Sequence, residues 1–118
     1  MTTTVTDETF TREVLNSSVP VFVHFHAPWC GICRLITPIL KSIQPEWPGP
    51  LLVTDINADE NLKLANQYQL KTLPTLLYIE KGKVLHRIEG FKSRSELRAR
   101  LDDIARRCRL DATLSRSA

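Results

Sequence analysis

The chain has 118 residues, a formal net charge of +3 at pH 7 and 25 % charged residues, an ordinary composition for one globular domain. It has no apolar run of the roughly 18 residues that cross a bilayer, so we expect no membrane-spanning segment. Arginines are frequent near the C-terminus, but no aromatic residues alternate with them, so nucleic-acid binding has little support.

The N-terminal residues and the cysteine count both bear on location. Residues 1–15 are rich in threonine and include Asp7 and Glu8, and they lack the basic start and apolar stretch of a secretory signal. Three cysteines, one of them outside any motif, do not make the disulfide framework of a small secreted domain. We therefore predict a cytoplasmic protein.

The first elements are predicted from capping and β propensity. Asp7 is expected to cap a helix whose apolar stripe includes Phe10 and Val14. Residues 19–25 are rich in β-branched and aromatic side chains, which predicts a strand.

A helix and a second buried strand follow. Residues 30–44 carry apolar side chains at helical spacing, among them Leu35, and Pro38 is expected to kink this helix. Residues 51–56 are predicted as a strand, followed by a helix that carries Leu62, Ala65 and Tyr68.

The second half of the chain predicts a hairpin and a final helix. Residues 75–80 and 83–89 are strands separated by a Lys-Gly turn, and Ser93 with Glu96 forms a capping box. The helix that follows carries one apolar stripe that ends at Cys108. The order is βαβα followed by ββα, an α/β domain with a mixed sheet.

A Cys-x-x-Cys motif joins the strand at 19–25 to the helix at 30–44. Cys30 opens the helix, so its sulfur lies against unpaired backbone N–H groups and the positive end of the helix dipole. These groups stabilise a thiolate, which is the attacking species in disulfide exchange. Cys33 lies one turn further on the same helical face, and the motif therefore predicts redox chemistry.

Five motifs in a fixed order resemble the thioredoxin family over residues 5–108. They are Trp-Cys-Gly-Ile-Cys at 29–33, Thr-Pro-Ile-Leu at 37–40, Asp-Ile-Asn-Ala-Asp at 55–59, Leu-Pro-Thr at 73–75 and Lys-Gly-Lys at 81–83 with Gly90. The resemblance implies the thioredoxin fold, with a central mixed sheet (βαβ then ββα) flanked by helices on both faces. We expect this domain to occupy residues 1–109 and a polar C-terminal tail to occupy residues 110–118.

The resemblance also implies an activity. It predicts a thiol–disulfide oxidoreductase that reduces protein disulfides through a reversible Cys30–Cys33 disulfide, with Cys30 as the exposed nucleophile and Cys33 as the buried resolving thiol. Such a protein needs no bound cofactor and receives electrons from a thioredoxin reductase or another dithiol donor. Its partners are disulfide-containing target proteins, and we expect a monomer.

The family pattern implies a substrate-binding rim around the two sulfurs. In the family, a cis peptide bond precedes the proline of the Leu-Pro-Thr motif, and the backbone there pairs with the extended chain of the substrate. The tryptophan of the motif lies beside the sulfurs, and the final glycine lets a partner approach closely. The residues that correspond here are Trp29, Gly31, Ile32, Leu73, Pro74 and Gly90.

Two departures from the family pattern concern a buried charged pair. His24 stands where the family usually has Asp, and Asp55 stands where it usually has Lys. Our hypothesis is that His24 deprotonates Cys33 and that Asp55 orients the imidazole, since imidazole transfers protons near neutral pH. The alternative is that His24 is a core histidine, hydrogen-bonded to Asp55, without a kinetic role.

Other departures lie in the motif and around it. Ile32 stands where the family typically has Pro. Unlike proline, isoleucine has a backbone N–H, which could face Cys30, and we therefore predict a less reducing reduction potential than that of a standard thioredoxin. Alternatively, Ile32 adds only apolar contact surface. His26 replaces a usual Trp, and Glu89 precedes Gly90 where an apolar residue is common, so we expect fewer or different targets. The alternative is that these changes are ordinary surface variation.

Two other kinds of function stay open at this point. His24, His26, Cys30 and Cys33 fall within ten residues and are all ligand types that zinc accepts. Structural zinc sites usually draw their ligands from two separate knuckles, which disfavours this reading. The second is a binding or chaperone module with the thioredoxin fold and no turnover.

Overall fold

Five strands, three helices and one helical turn make up the part of the chain that the structure describes. The structure is a computed structural model that describes the backbone of residues 2–117 and the side chains of residues 3–110. In chain order the elements are β1 (Thr2–Thr4), a π-helical turn (Thr11–Leu15), β2 (Val21–His26), α1 (Gly31–Ile43), β3 (Leu52–Asn57), α2 (Leu62–Gln67), β4 (Thr75–Glu80), β5 (Lys83–Ile88) and α3 (Arg94–Ser117). Within these residues, no helix is both long and apolar enough to cross a membrane.

The strands form one mixed sheet in the order β1-β3-β2-β4-β5. Strand β2 is parallel to β3 and antiparallel to β4, and β5 extends the sheet through the antiparallel hairpin. The mixed sheet is therefore confirmed. The edge strand β1 was not predicted, because three consecutive threonines have β propensity but no alternation of apolar and polar residues.

Helices cover both faces of the sheet, as the family resemblance implies. On one face, Ile36 of α1 and Leu101 of α3 share an apolar core with Phe22 of β2. On the other face, Leu64 of α2 and Phe10 beside the π-helical turn pack with the side chains of β2 that alternate with Phe22. This assigns α1, and with it the cysteine motif, to one identified face of the sheet.

Asp7 does not cap the first helical turn, so that prediction is wrong. Its Oδ1 accepts a hydrogen bond from the backbone N–H of Leu64 at 3.1 Å, and its own N–H donates to Asn61 Oδ1 at 2.8 Å. Asp7 therefore satisfies a free N–H in the first turn of α2, 57 residues away in sequence.

Two leucines that were assigned to apolar stripes by helical spacing are exposed. Leu35 of α1 is 51 % exposed and Leu62 of α2 is 64 % exposed. In α1 the buried stripe runs through Cys33 and Ile36, which places Leu35 beside the stripe. Helix α2 buries Leu64 instead of Leu62. With only six residues, its sequence is compatible with more than one choice of buried face, and helical spacing alone cannot select between them.

The hairpin is confirmed, and of the capping box the cap by the Ser93 side chain is confirmed but the reciprocal bond from Glu96 is not formed. Lys81 and Gly82 both have positive φ, +52° and +78°, as a two-residue hairpin turn requires. Ser93 Oγ accepts the backbone N–H of Glu96 at 3.1 Å, while the Glu96 carboxylate accepts the N–H of Lys92 at 3.0 Å instead of that of Ser93.

Two predictions about the helices stay open. Helix α1 continues through Pro38 without a break, and the kink there stays a prediction. The domain boundary at residue 110 also stays a prediction, because the side chains of residues 111–118 lie outside the described residues.

Replacement of Asp7 by Ala should lower the free energy of unfolding by about 1 kcal/mol, because the N–H of Leu64 loses its acceptor. Urea titration followed by circular dichroism measures this loss. The Glu8→Ala variant is the matched control, since Glu8 is an exposed neighbouring carboxylate. Equal losses in both variants would contradict the capping role.

Candidate active site

The two cysteines of the motif form a disulfide at the start of α1. Cys30 is the N-cap residue and Cys33 lies in the first turn. The N–H of Cys30 donates to the carbonyl of Ala27 at 3.1 Å, which closes the turn between β2 and α1. No acidic residue lies in the first turn of α1, so the N-terminal dipole is not offset there.

The prediction of an exposed Cys30 is wrong for this disulfide form, whereas Cys33 is buried as predicted. Cys30 is 5 % exposed and Cys33 is 3 % exposed, because Ile32 and Leu73 pack against the small cluster that both cysteines form with Ala27. Attack on the disulfide therefore requires close approach of a partner between these apolar side chains.

Trp29 lies on the surface next to this cluster. Its side chain is 70 % exposed, so little of it packs against the chain. The indole N–H donates to Asp59 Oδ2 at 2.8 Å, which fixes the ring direction across 30 residues of sequence. An exposed but tethered aromatic ring is a low-entropy contact surface for a partner.

The Leu73–Pro74 peptide bond is cis, as the resemblance implies. Strands β4 and β5 pair Leu76 with Ile88, and extending this register by two residues sets Pro74 opposite Gly90. Gly90 is exposed with φ +70°, and a side chain there would meet no atom of this chain within 4 Å. Leu73, Pro74 and Gly90 therefore lie along one edge of the disulfide.

His24 and Asp55 form the pair expected from the sequence. They are directly opposite in the parallel β2–β3 ladder, and His24 Nδ1 lies 3.2 Å from Asp55 Oδ1. His24 is 1 % exposed, whereas the side chain of Asp55 is 22 % exposed. The Nε2 atom of His24 is buried and has no hydrogen-bond partner among the described residues.

This pair faces the helix that carries Cys33. Residues two apart on a strand share a face, and Phe22 of β2 and Val53 of β3 both belong to the core under α1 and α3. His24 and Asp55 are two residues beyond Phe22 and Val53, so their side chains face α1 as well.

A small open cleft of about 140 Å³ connects Asp55 and Cys33 with solvent. Its lining residues are His26, Ala27, Pro28, Cys33, Arg34, Thr37 and Asp55. The described contacts of His24 are with Asp55 and with the ring of His26, whose centroid is 5.5 Å away. Asp55 is therefore the member of the pair that reaches the cleft beside Cys33.

The pKa of His26, which lines this cleft, is shifted by its surroundings. Partial burial lowers the pKa of its imidazole from the ordinary value of 6.5, and the neighbouring His24 lowers it further. Asp55 and Glu60 act in the opposite direction. The imidazole beside the cleft therefore favours its neutral form.

Sequence reasoning missed four residues around the site. Thr37 follows Cys33 by four residues and lies on the same helical face, so the helical period alone could have indicated it. Arg34 donates to the carbonyl of Pro28 at 3.3 Å and lines the cleft, without a specific signal in the sequence. Asp59 and Arg87 act through long-range contacts that no local pattern encodes.

The zinc alternative gains no support. In the part of the chain that the structure describes, no group of three or more His, Cys, Asp or Glu side chains could hold a metal ion. Cys30 and Cys33 are also bonded to each other, which removes two of the four proposed ligands.

The imidazole of His26 should titrate below 6.5 in the folded protein, which NMR spectroscopy of its ring protons measures. As the pH falls through 6.5, His26 is protonated in the unfolded chain before it is protonated in the folded protein. The free energy of unfolding should therefore decrease over this pH range. Asp55→Asn should lower the pKa further, since it removes an attractive charge, whereas Asp102→Asn on exposed α3 should not. A midpoint above 6.5 in the wild-type protein would contradict this account.

Comparison with known proteins agrees with the site geometry. The family model described as thioredoxin matches residues 1–103. The chain is 40 % identical over 98 residues to thioredoxin 1 of Nostoc sp., covering 83 % of this chain and 92 % of that protein. It is 43 % identical over 98 residues to a thioredoxin of Acidithiobacillus ferridurans, covering 83 % and 91 %.

A third relative is much longer than this chain. It is a bifunctional thioredoxin reductase/thioredoxin of Mycobacterium leprae, 36 % identical over 104 residues, which are 88 % of this chain and 23 % of that protein. Together with the Cys30–Cys33 disulfide, these matches show that the chain belongs to the thioredoxin family and is a thiol–disulfide oxidoreductase.

Proposed function

We propose that this protein reduces disulfide bonds in other proteins, with Cys30 as the attacking thiolate and Cys33 as the resolving thiol. The observation that carries the proposal is the Cys30–Cys33 disulfide at the N-terminus of α1, with Leu73 of the cis-proline loop packed against it. Because free N–H groups and the helix dipole favour negative charge there, reduction of the disulfide leaves a stabilised thiolate on Cys30.

The reaction proceeds by two exchanges. The Cys30 thiolate attacks one sulfur of the target disulfide, a mixed disulfide forms, and the other target sulfur leaves as a thiolate. Cys33 then loses its proton and attacks Cys30, which reforms the disulfide and releases the second target thiolate. The two electrons given to the target must be replaced before the next turnover.

The target chain would bind along the rim formed by the six residues that the family resemblance indicated. Exposed Trp29 precedes the motif residues Gly31 and Ile32, and Leu73, Pro74 and Gly90 form the other edge. An extended polypeptide fits such an edge because it can pair through its backbone and leave side chains free.

We further propose that His24 accepts the proton of Cys33 and that Asp55 orients the imidazole. His24 faces the helix of Cys33, and its buried Nε2 has no partner among the described residues, which leaves one ring nitrogen free to bind a proton. Asp55 holds the other ring nitrogen and lines the cleft through which the proton exchanges with water.

The donor, location and oligomeric state complete the proposal. A thioredoxin reductase is the proposed donor, supported by the Mycobacterium leprae relative whose name combines both activities. Another dithiol remains the alternative donor. The cytoplasmic location, the monomeric state and the less reducing potential expected from Ile32 stay predictions.

The Cys33→Ser variant should trap target proteins as mixed disulfides through Cys30, because the resolving thiolate is absent. Non-reducing gel electrophoresis of the variant incubated with oxidised insulin measures the adduct, in a Cys108→Ser background. The Cys30→Ser variant is the control and should trap nothing. A wild-type protein that reduces no protein disulfide would favour a binding or chaperone module.

His24→Ala should slow resolution of the mixed disulfide at pH 7 by about a hundredfold, since a general base is lost. The measurement is the pH–rate profile of resolution, followed by the change in tryptophan fluorescence. His24→Asp should recover part of the rate, because a carboxylate restores a proton acceptor at the same position. The His86→Ala variant, on β5, is the matched control.

If both His24 variants keep the wild-type pH–rate profile, His24 is only a core histidine and the proton acceptor lies elsewhere. Loss of rate in His86→Ala as well would show a general effect of histidine removal on folding.

A further inference from the structure

Arg87 of β5 holds the segment that follows α2. Its guanidinium donates one hydrogen bond to the carbonyl of Tyr68 and one to the carbonyl of Gln69, the latter at 3.0 Å. Tyr68 is the C-cap residue of α2, and Gln69 has φ +50°. The last carbonyls of a helix have no hydrogen-bond donor within the helix, and here the guanidinium of Arg87 acts as the donor.

The same side chain also contacts the strand end beside Gly90. Arg87 Nη2 lies 3.3 Å from Glu89 Oε2, and Arg100 of α3 donates to the Glu89 carbonyl at 2.9 Å. The side chains of Arg87 and Glu89 are 31 % and 38 % exposed, so water screens this pair only in part. Glu89 is thereby held by an ion pair at its carboxylate, where Oε2 has no hydrogen-bond partner among the described residues, and by a hydrogen bond at its backbone carbonyl.

These contacts join, through one side chain, the two segments that form one edge of the rim. Only residues 70–73 separate the Gln69 carbonyl from Pro74, and Glu89 directly precedes Gly90. Because the β4–β5 register, extended by two residues, sets Pro74 opposite Gly90, these two segments together form one edge of the rim, and Arg87 holds both of them in place. A planar guanidinium can hold several acceptors at fixed angles, which an ammonium group cannot do.

We propose that Arg87 is a positioning residue for substrate recognition, which sets the preference of this protein for polypeptide disulfides over small-molecule disulfides. This rests on the proposed function as a reductase of protein disulfides. Arg87 has no described contact with either cysteine, so its loss should affect the binding of a long chain and leave the exchange chemistry itself unchanged.

The test compares two disulfides with the reduced, full-length protein in single turnover, which needs no reductase. Insulin probes the rim, whereas 2-hydroxyethyl disulfide is too small to span it. Arg87→Gln should lower the second-order rate constant with insulin by about tenfold, because the rim is misplaced, and change that with 2-hydroxyethyl disulfide by less than about twofold. Tryptophan fluorescence follows both reactions.

Three further variants sharpen the comparison. Arg12→Gln removes an equally charged side chain that is 74 % exposed and far from the rim, and it should change neither rate. Arg87→Lys keeps the charge beside Glu89 but not the planar group, and it should fall between wild type and Arg87→Gln. Glu89→Gln keeps both carbonyl contacts of Arg87, and it should lower the rate constant with insulin selectively but by less than Arg87→Gln does. It replaces Arg87→Gln in the test if that variant does not fold.

Equal losses with both disulfides, or no loss with insulin, would overturn the proposal for Arg87 while the reductase function stands. A wild-type protein that does not reduce insulin would overturn the proposed function, and this proposal with it. A selective loss with insulin in Arg87→Gln, absent in Arg12→Gln, supports it.

Discussion

The pairing of β2 with strands on both sides is the constraint on which the site depends. Its parallel register with β3 sets His24 opposite Asp55, and its antiparallel register with β4 sets Phe25 opposite Thr75, directly after Pro74. The chain leaves β2 at His26 and turns into α1 within four residues. The cysteines, the polar pair and the cis-proline loop therefore meet where one strand ends, and rigid backbone hydrogen bonds hold all three.

The polar pair under α1 includes a buried ring nitrogen of His24 that has no hydrogen-bond partner among the described residues. Burial of His24 with an unpartnered ring nitrogen costs free energy that an apolar side chain would not cost. Such local conflicts are expected mainly at functional sites, where the chemistry requires them. The cleft lined by Asp55 and Cys33 gives the pair access to water, and this access makes proton exchange with the resolving thiol physically reasonable.

Local patterns predicted much of the fold, and failed where an element was short or its partner distant. The hairpin at Lys81 and the cap at Ser93 were correct because a turn or cap depends on neighbouring residues. Asp7 was assigned to the wrong helix because a carboxylate can cap any free N–H that packing brings close. The exposure of Cys30 was wrong because burial by Leu73 depends on a loop 43 positions further on.

The sequence alone determined the element order from β2 to α3, the mixed α/β class and a cysteine pair at a helix N-terminus, because hydrophobic period and capping act over a few residues. Only the tertiary structure decided which side chains meet around that pair. The Trp29–Asp59 hydrogen bond spans 30 residues and the contact of Arg87 with the Tyr68 carbonyl spans 19. Neither has a periodic signature, since each depends on how separate elements pack against one sheet.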